Sequence, residues 1–148
     1  FGCEILVTDI VDYPLFFKEY DIQRVTLPEL MTRSDVVSIH VPLNINTRGI
    51  LDLKMPSLMK RSAILINIAR GGLVDEVALK NMLIDHRLSG AAFDVFDSEP
   101  PKDSELLSLP NFLATPHIGG SSEEAVLAMG RSAINGLEHN SVPQVDTK

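Results

Sequence analysis

The amino-acid sequence predicts an α/β fold: a doubly wound, mostly parallel sheet with helices on its faces. Two observations carry this. Short apolar runs recur along the chain and are near-continuous rather than alternating, as strands covered on both faces are. Amphipathic or turn-rich stretches separate them, so strand and helix alternate with short connections. At 148 residues the chain suits one domain and is too short for two ordinary ones.

The elements follow in order. Ile5-Leu6-Val7-Thr8 is the first strand, and Gln23-Arg24-Val25 adds a weak edge strand. Thr26-Leu27-Pro28-Glu29 is a capping box that opens a helix, with Pro28 in the first turn, where a missing N–H costs nothing. Val36 to Ile39 and Ala63 to Ile66 are the next strands. Val74, Ala78, Leu79, Met82 and Leu83 then mark one face of a helix from about Asp75 to Asp85. Gly90 to Phe93 and Phe112 to Thr115 complete the strands. Ser121 and Glu124 form a second capping box before a helix whose stripe is Ala125, Met129, Ala133 and Leu137, widened by Val126 and Ile134. A polar tail runs from Asn140 to Lys148.

Composition narrows the function. Thirteen Lys and Arg against twenty Asp and Glu give a net charge of −7, which repels phosphate backbones and anionic lipid, so neither nucleic acid nor membrane is an expected partner. No apolar run approaches a membrane span. The single Cys3 cannot form an internal disulfide, which points to a reducing, cytoplasmic setting. Phe1-Gly2-Cys3-Glu4 does not open a signal peptide and reads like the interior of a longer sequence. Four scattered His show no metal-ligand spacing, so no metal site is expected, and no G-x-S-x-G elbow is present.

The chemistry gathers where strands end. The runs lead into Asp9, His40, Asn67, Asp94 and His117, with Arg70 shortly after Asn67. In an open parallel sheet the strand C-termini share one edge, and ligands bind outside it. Polar strand ends are common singly, but this set is rich in groups that perform acid–base and anion chemistry. Arg70-Gly71-Gly72 offers a guanidinium able to grip a carboxylate, on a turn that glycine keeps tight. His117 lies between Pro116 and Gly119-Gly120 and titrates near neutrality, as a hydroxyl–carbonyl couple requires. Glu99 sits in the loop Asp97-Ser98-Glu99-Pro100-Pro101, and a carboxylate beside an imidazole favours imidazolium. Taken singly, each could be an ordinary surface residue.

Longer stretches add a resemblance. Ile68-Ala69-Arg70-Gly71-Gly72-Leu73-Val74-Asp75, Phe93-Asp94-Val95-Phe96 leading to Glu99-Pro100, Thr115-Pro116-His117-Ile118-Gly119-Gly120 and His40-Val41-Pro42-Leu43 occur in order. Over nearly its whole length the chain resembles the NAD-dependent D-isomer-specific 2-hydroxyacid dehydrogenases, which have a Rossmann-like fold. Ser121-Ser122-Glu123-Glu124-Ala125 looks most like the phosphoglycerate dehydrogenase branch. The resemblance implies that Arg70 binds the substrate carboxylate, that His117 passes the proton, and that Glu99 holds His117. It implies that Asp9 accepts hydrogen bonds from the adenosine ribose and selects NAD over NADP, there being no basic residue from Ile10 to Phe17. His40, Val41 and Pro42 would line the adenosine side, and Ile68, Ala69, Asp94, Gly119 and Gly120 the nicotinamide end. The implied substrate is a small 2-hydroxy or 2-keto acid, and a homodimer is the expected assembly.

One departure is large. The family's strand and G-x-G-x-x-G turn, roughly 20 residues before the Asp9 strand, have no counterpart in the sequence. Residues 1–140 are therefore expected to be a partial NAD-binding domain, with 141–148 a tail toward an absent substrate domain, hinted at by Ser141 to Val145. In strand order 3-2-1-4-5-6 the absent strand lies between those ending at Asp9 and His40, so the sheet should be split there. The stable core should then begin near Asp35, with Phe1 to Ser34 docked irregularly or paired with another chain. Two alternatives stand beside a dehydrogenase fragment: an NAD-responsive, corepressor-like binding protein on the same fold, and a truncated product without activity.

Overall fold

Parallel pairing decides the architecture. In a computed structural model, which describes residues 2–52 and 54–138, strands β3 (Val36–Ile39), β4 (Ile64–Asn67), β5 (Gly90–Phe93) and β6 (Phe112–Ala114) form a four-stranded sheet in that order. Every pairing in it is parallel. Strands β1 (Ile5–Val7) and β2 (Ile22–Arg24) form a separate parallel pair. Helices α1 (Pro14–Glu19), α2 (Leu27–Arg33), α3 (Glu76–Ile84), α4 (Ser104–Leu107) and α5 (Glu123–Glu138) interleave with them. This is the doubly wound α/β class that the sequence predicts. The tail expected over residues 141–148, Ser141 to Val145 included, lies outside the described residues.

The break in the sheet falls where strand order places it. Among the described residues, strand β1 pairs only with β2, and β3 only with β4. Between them is a cleft of about 690 Å³ lined by Leu6, Asp9, Val37, His40 and Val41, among others. The core, however, begins earlier than Asp35. Met31 of α2 is fully buried in it, with Leu27 and Leu30 packed alongside. The cause is local: Thr26 Oγ1 accepts from the Glu29 N–H at 3.4 Å while the Thr26 N–H donates to Glu29 Oε2 at 2.9 Å, closing the expected capping box. A helix so fixed can present Met31 inward.

Around the main sheet, Leu65, Leu73, Leu79 and Leu88 have no exposed surface. Helix α3 buries Ala78, Leu79, Met82 and Leu83, the face its periodicity marks, and Asp75 caps it by accepting from the Ala78 N–H at 2.9 Å. At α5 the cap is Ser122 rather than Ser121: Ser122 Oγ accepts from the Ala125 N–H at 3.1 Å. Helices α1 and α4 have no counterpart in the periodicity, being too short to show one. Helix α1 buries nothing and lacks a side-chain cap, while α4 is held by Asp103 Oδ1, which accepts from Glu105 and Leu106.

The described residues fall into two compact units, the first ending at Pro116 and the second beginning at His117. In the second, α5 leaves Val126, Met129, Ile134 and Leu137 each more than half exposed. Its apolar stripe is thus present as expected but largely uncovered.

Candidate active site

Register builds the rim. Ile39 lies level with Asn67, Asn67 with Phe93, and Phe93 with Ala114. The next residues, His40, Ile68, Asp94 and Thr115, therefore leave the sheet along one edge. That edge is the carboxyl end of parallel strands, where ligands of such folds bind. Asn67 differs from the expectation that it is a rim group. It ends β4 but is 1% exposed, and its side chain turns to the backbone: Nδ2 donates to the Arg70 carbonyl at 2.9 Å and Oδ1 accepts from the Ala69 N–H at 3.2 Å. A buried amide satisfied in this way fixes the turn that carries Arg70.

The Arg70 side chain is exposed, and its Nη1 donates to the Ala69 carbonyl at 2.6 Å. Among the described residues, the acidic side chains that form ion pairs all pair with other cations. Gly71 shows why the turn needs glycine. A Cβ there would overlap the Phe96 carbonyl, which is backbone and cannot swing away. The turn is thus pressed against the loop that carries Glu99. Within that loop, Glu99 Oε1 accepts from the Phe96 N–H at 3.1 Å, and the Glu99–Pro100 peptide is cis.

Helix α3 holds the same loop from the other side. Glu76 Oε1 accepts from the Asp97 N–H at 2.8 Å, and Arg48 Nη1 lies 3.4 Å from Asp97 Oδ1. Burial raises the Glu76 pKa; the Asp97 N–H opposes that, while the charges of Asp97, Asp103 and Asp75 add to it. None of these supporting residues is singled out by sequence spacing, because each partner comes from a distant segment. Asp94 is buried at 7% exposure, and its Oδ1 accepts from Thr115 Oγ1.

A second cluster lies at the end of β1. Asp9 Oδ1 accepts from the Val11 N–H at 2.9 Å, folding residues 9–11 into a turn. Asp9, His40 and Val41 line the cleft between β1 and β3; Pro42 does not line it and accepts from Thr47 Oγ1 through its carbonyl at 2.6 Å. His40 Nε2 and Ser38 Oγ share a hydrogen bond of 2.9 Å. Strand β2 adds a cation: Arg24 Nη2 donates to the Asp9 carbonyl at 2.9 Å, and its Nη1 lies 3.3 Å from Asp12 Oδ2. Sequence reading that looks only along Ile10 to Phe17 misses it.

Of the remaining residues, Ile68 is about half exposed and Ala69 packs partly against the core. His117, Gly119 and Gly120 are exposed and belong to the second unit. His117 adopts φ 54, the left-handed region that side chains other than glycine seldom enter. Asp21 and His86 share that conformation, each at φ 51.

Residues 1–119 match the family described as "D-isomer specific 2-hydroxyacid dehydrogenase, NAD binding domain". The chain belongs to this family. Its relatives include the glycerate dehydrogenase of Methylorubrum extorquens, 45% identical over 117 residues, covering 77% of this chain and 37% of that protein. The D-3-phosphoglycerate dehydrogenase of Methanocaldococcus jannaschii is 50% identical over 102 residues, covering 69% of this chain and 20% of that one. Among solved structures, a D-lactate dehydrogenase from Sporolactobacillus superposes with a TM-score of 0.83 at 32% identity, covering 99% of this chain and 47% of that one. The chain thus spans less than half the length of these D-2-hydroxyacid dehydrogenases.

An NAD-binding domain implies a dinucleotide, and the residues present fit one end of it. The Asp9 carboxylate spends one oxygen on Val11, leaving the other for a ribose hydroxyl. The pyrophosphate end is different, since no G-x-G-x-x-G occurs in the 148 residues. Among the described residues no group of three His, Cys, Asp or Glu could hold a metal ion, and no helix is long and apolar enough to cross a membrane.

Proposed function

We propose that this chain is the dinucleotide-binding part of an NAD-dependent D-2-hydroxyacid dehydrogenase, an oxidoreductase acting on the CH–OH group. Its substrates are small 2-hydroxy or 2-keto acids of the 3-phosphoglycerate, hydroxypyruvate or glyoxylate class. The observation that carries the reading is the Arg70 turn, clamped by Asn67 and pressed on the Phe96–Glu99 loop at the carboxyl edge of a parallel sheet. Rigid support of this kind is what an anion-gripping guanidinium requires.

In this reading Arg70 takes the substrate carboxylate through two parallel N–H bonds and polarises the neighbouring keto oxygen. His117 delivers a proton to that oxygen in reduction and removes it in oxidation. Glu99 favours the imidazolium form and so keeps His117 able to donate near neutral pH. Asp9 holds the adenosine ribose, with His40, Val41 and Pro42 on that side; Ile68, Ala69, Asp94, Gly119 and Gly120 border the nicotinamide end. NAD, when bound, would supply the hydride donor or acceptor for the substrate carbon.

We further propose a homodimer, because the uncovered apolar face of α5 is surface that a second copy would bury. A cytoplasmic setting is supported by the one free thiol of Cys3. The test is turnover by the full-length protein with NADH and glyoxylate, hydroxypyruvate or phosphohydroxypyruvate, following loss of NADH. Reduction that vanishes in Arg70→Lys and His117→Asn supports the assignment; NADH binding without any turnover favours a corepressor-like binding protein.

A further inference from the structure

The cation beside Asp9 changes what the end of β1 can recognise. Strands β1 and β2 run parallel with Val7 opposite Arg24, so the Arg24 side chain reaches past Thr8 to the Asp9 carbonyl. The Asp9–Val11 bond curls the chain back and brings Asp12 to the same guanidinium. Arg24 is thus forked across the turn, one nitrogen on a carbonyl and one facing a carboxylate. Its side chain remains 39% exposed, and that of Asp12 58%. The local charge sums to one cation against two carboxylates, Asp9 and Asp12.

We infer that Arg24 is a binding group for the 2′-phosphate of a phosphorylated adenosine, and that Asp12 holds it out of use. This rests on the proposed reading that Asp9 receives the adenosine ribose. A phosphate on the ribose 2′-oxygen would lie beside the Asp9 turn, within the span of the guanidinium already bonded there. An arginine near this position accommodates such phosphates in dinucleotide folds, and guanidinium binds phosphate bidentately. Asp12 opposes this twice: it occupies Nη1, and its charge repels the incoming phosphate. Discrimination against the phosphorylated cofactor therefore resides in the pair Asp9 and Asp12 together, with Arg24 as the latent acceptor.

The test uses small probes that do not depend on a pyrophosphate cradle. The 148-residue chain and its variants are titrated with 5′-AMP, adenosine 2′,5′-bisphosphate and adenosine 3′,5′-bisphosphate, following the amides of residues 8–12 and the Arg24 Nε by NMR. In the unmodified chain the 2′,5′-bisphosphate should bind no tighter than 5′-AMP. In Asp12→Asn it should gain about 10-fold relative to 5′-AMP, the worth of one charge-assisted contact. Adding Arg24→Ala should erase that gain, and the 3′,5′-bisphosphate should show none. An unchanged ratio in Asp12→Asn, a gain that survives Arg24→Ala, or an equal gain for the 3′,5′-compound overturns the inference alone. If 5′-AMP moves none of the amides of residues 8–12, the assignment of Asp9 fails and the inference falls with it.

Discussion

Replacing Gly71 by alanine tests whether the Arg70 turn and the Glu99 loop form one rigid unit. The new methyl would overlap the Phe96 carbonyl and lie 2.5 Å from the Asp97 nitrogen, so one of the two backbones must move. The Phe96 peptide is poorly placed to yield. Its N–H is held by Glu99 Oε1, and the following N–H is held by Glu76 Oε1. Losing both bonds costs about 1 kcal/mol each, and overpacking adds about 1–3 kcal/mol. A total of about 3–5 kcal/mol corresponds to a fall in Tm of about 6–20 °C for a domain of this size. Thermal unfolding by circular dichroism measures it, with Gly72→Ala as the comparison. Gly72 has φ +74, but its new methyl would meet the flexible Arg48 and Asp97 side chains, at 2.9 and 3.0 Å, which can swing aside. Only backbone strain of about 1–3 kcal/mol would then remain. A Gly71→Ala melt within about 2 °C of the unmodified chain, below the worth of one kcal/mol, would refute the clamp.

Other expectations follow from the same contacts. In a turnover assay of the intact enzyme His117→Asn should lower kcat by about 10²–10⁴-fold; Asn tolerates the left-handed backbone at φ 54, so a fall reports chemistry rather than strain. Asp9→Ala should weaken NADH binding and narrow its advantage over NADPH, read by paired titrations; an enzyme that already prefers NADPH would refute the role of Asp9. Glu76 has a raised pKa, so its contribution to stability is fully present below the ordinary value of 4.5 and is lost as pH rises through the folded value. Urea unfolding should therefore show the advantage of the unmodified chain over Glu76→Gln shrinking from pH 4.5 toward neutrality; a constant difference would refute the shift. Asp75→Ala should cost about 1 kcal/mol in the same assay by uncapping α3.

Much of this protein was legible along the chain. Near-continuous apolar runs marked the parallel strands, Thr26 and Glu29 marked the start of α2, and four-residue spacing marked the buried face of α3. The family's strand order, with one strand absent, located the break between β1 and β3. The candidate groups Asp9, Arg70, Glu99 and His117 were legible too, because strand ends and glycine turns are local signals and the family's motifs run in chain order. What joins those groups to their supports was not legible. Arg24 reaches Asp9 only because β2 pairs with β1 in one register, and Asp97 is held by Glu76 from 21 residues away. Gly71 looks like any turn glycine until the Phe96 carbonyl fills the place of its missing side chain. Asn67 looks like a polar strand end until burial turns its amide onto the Arg70 backbone. Periodicity and capping are set by neighbours a few bonds away, so sequence determines them. Close packing and hydrogen-bond satisfaction depend on which distant atoms arrive, and only the tertiary structure decides that.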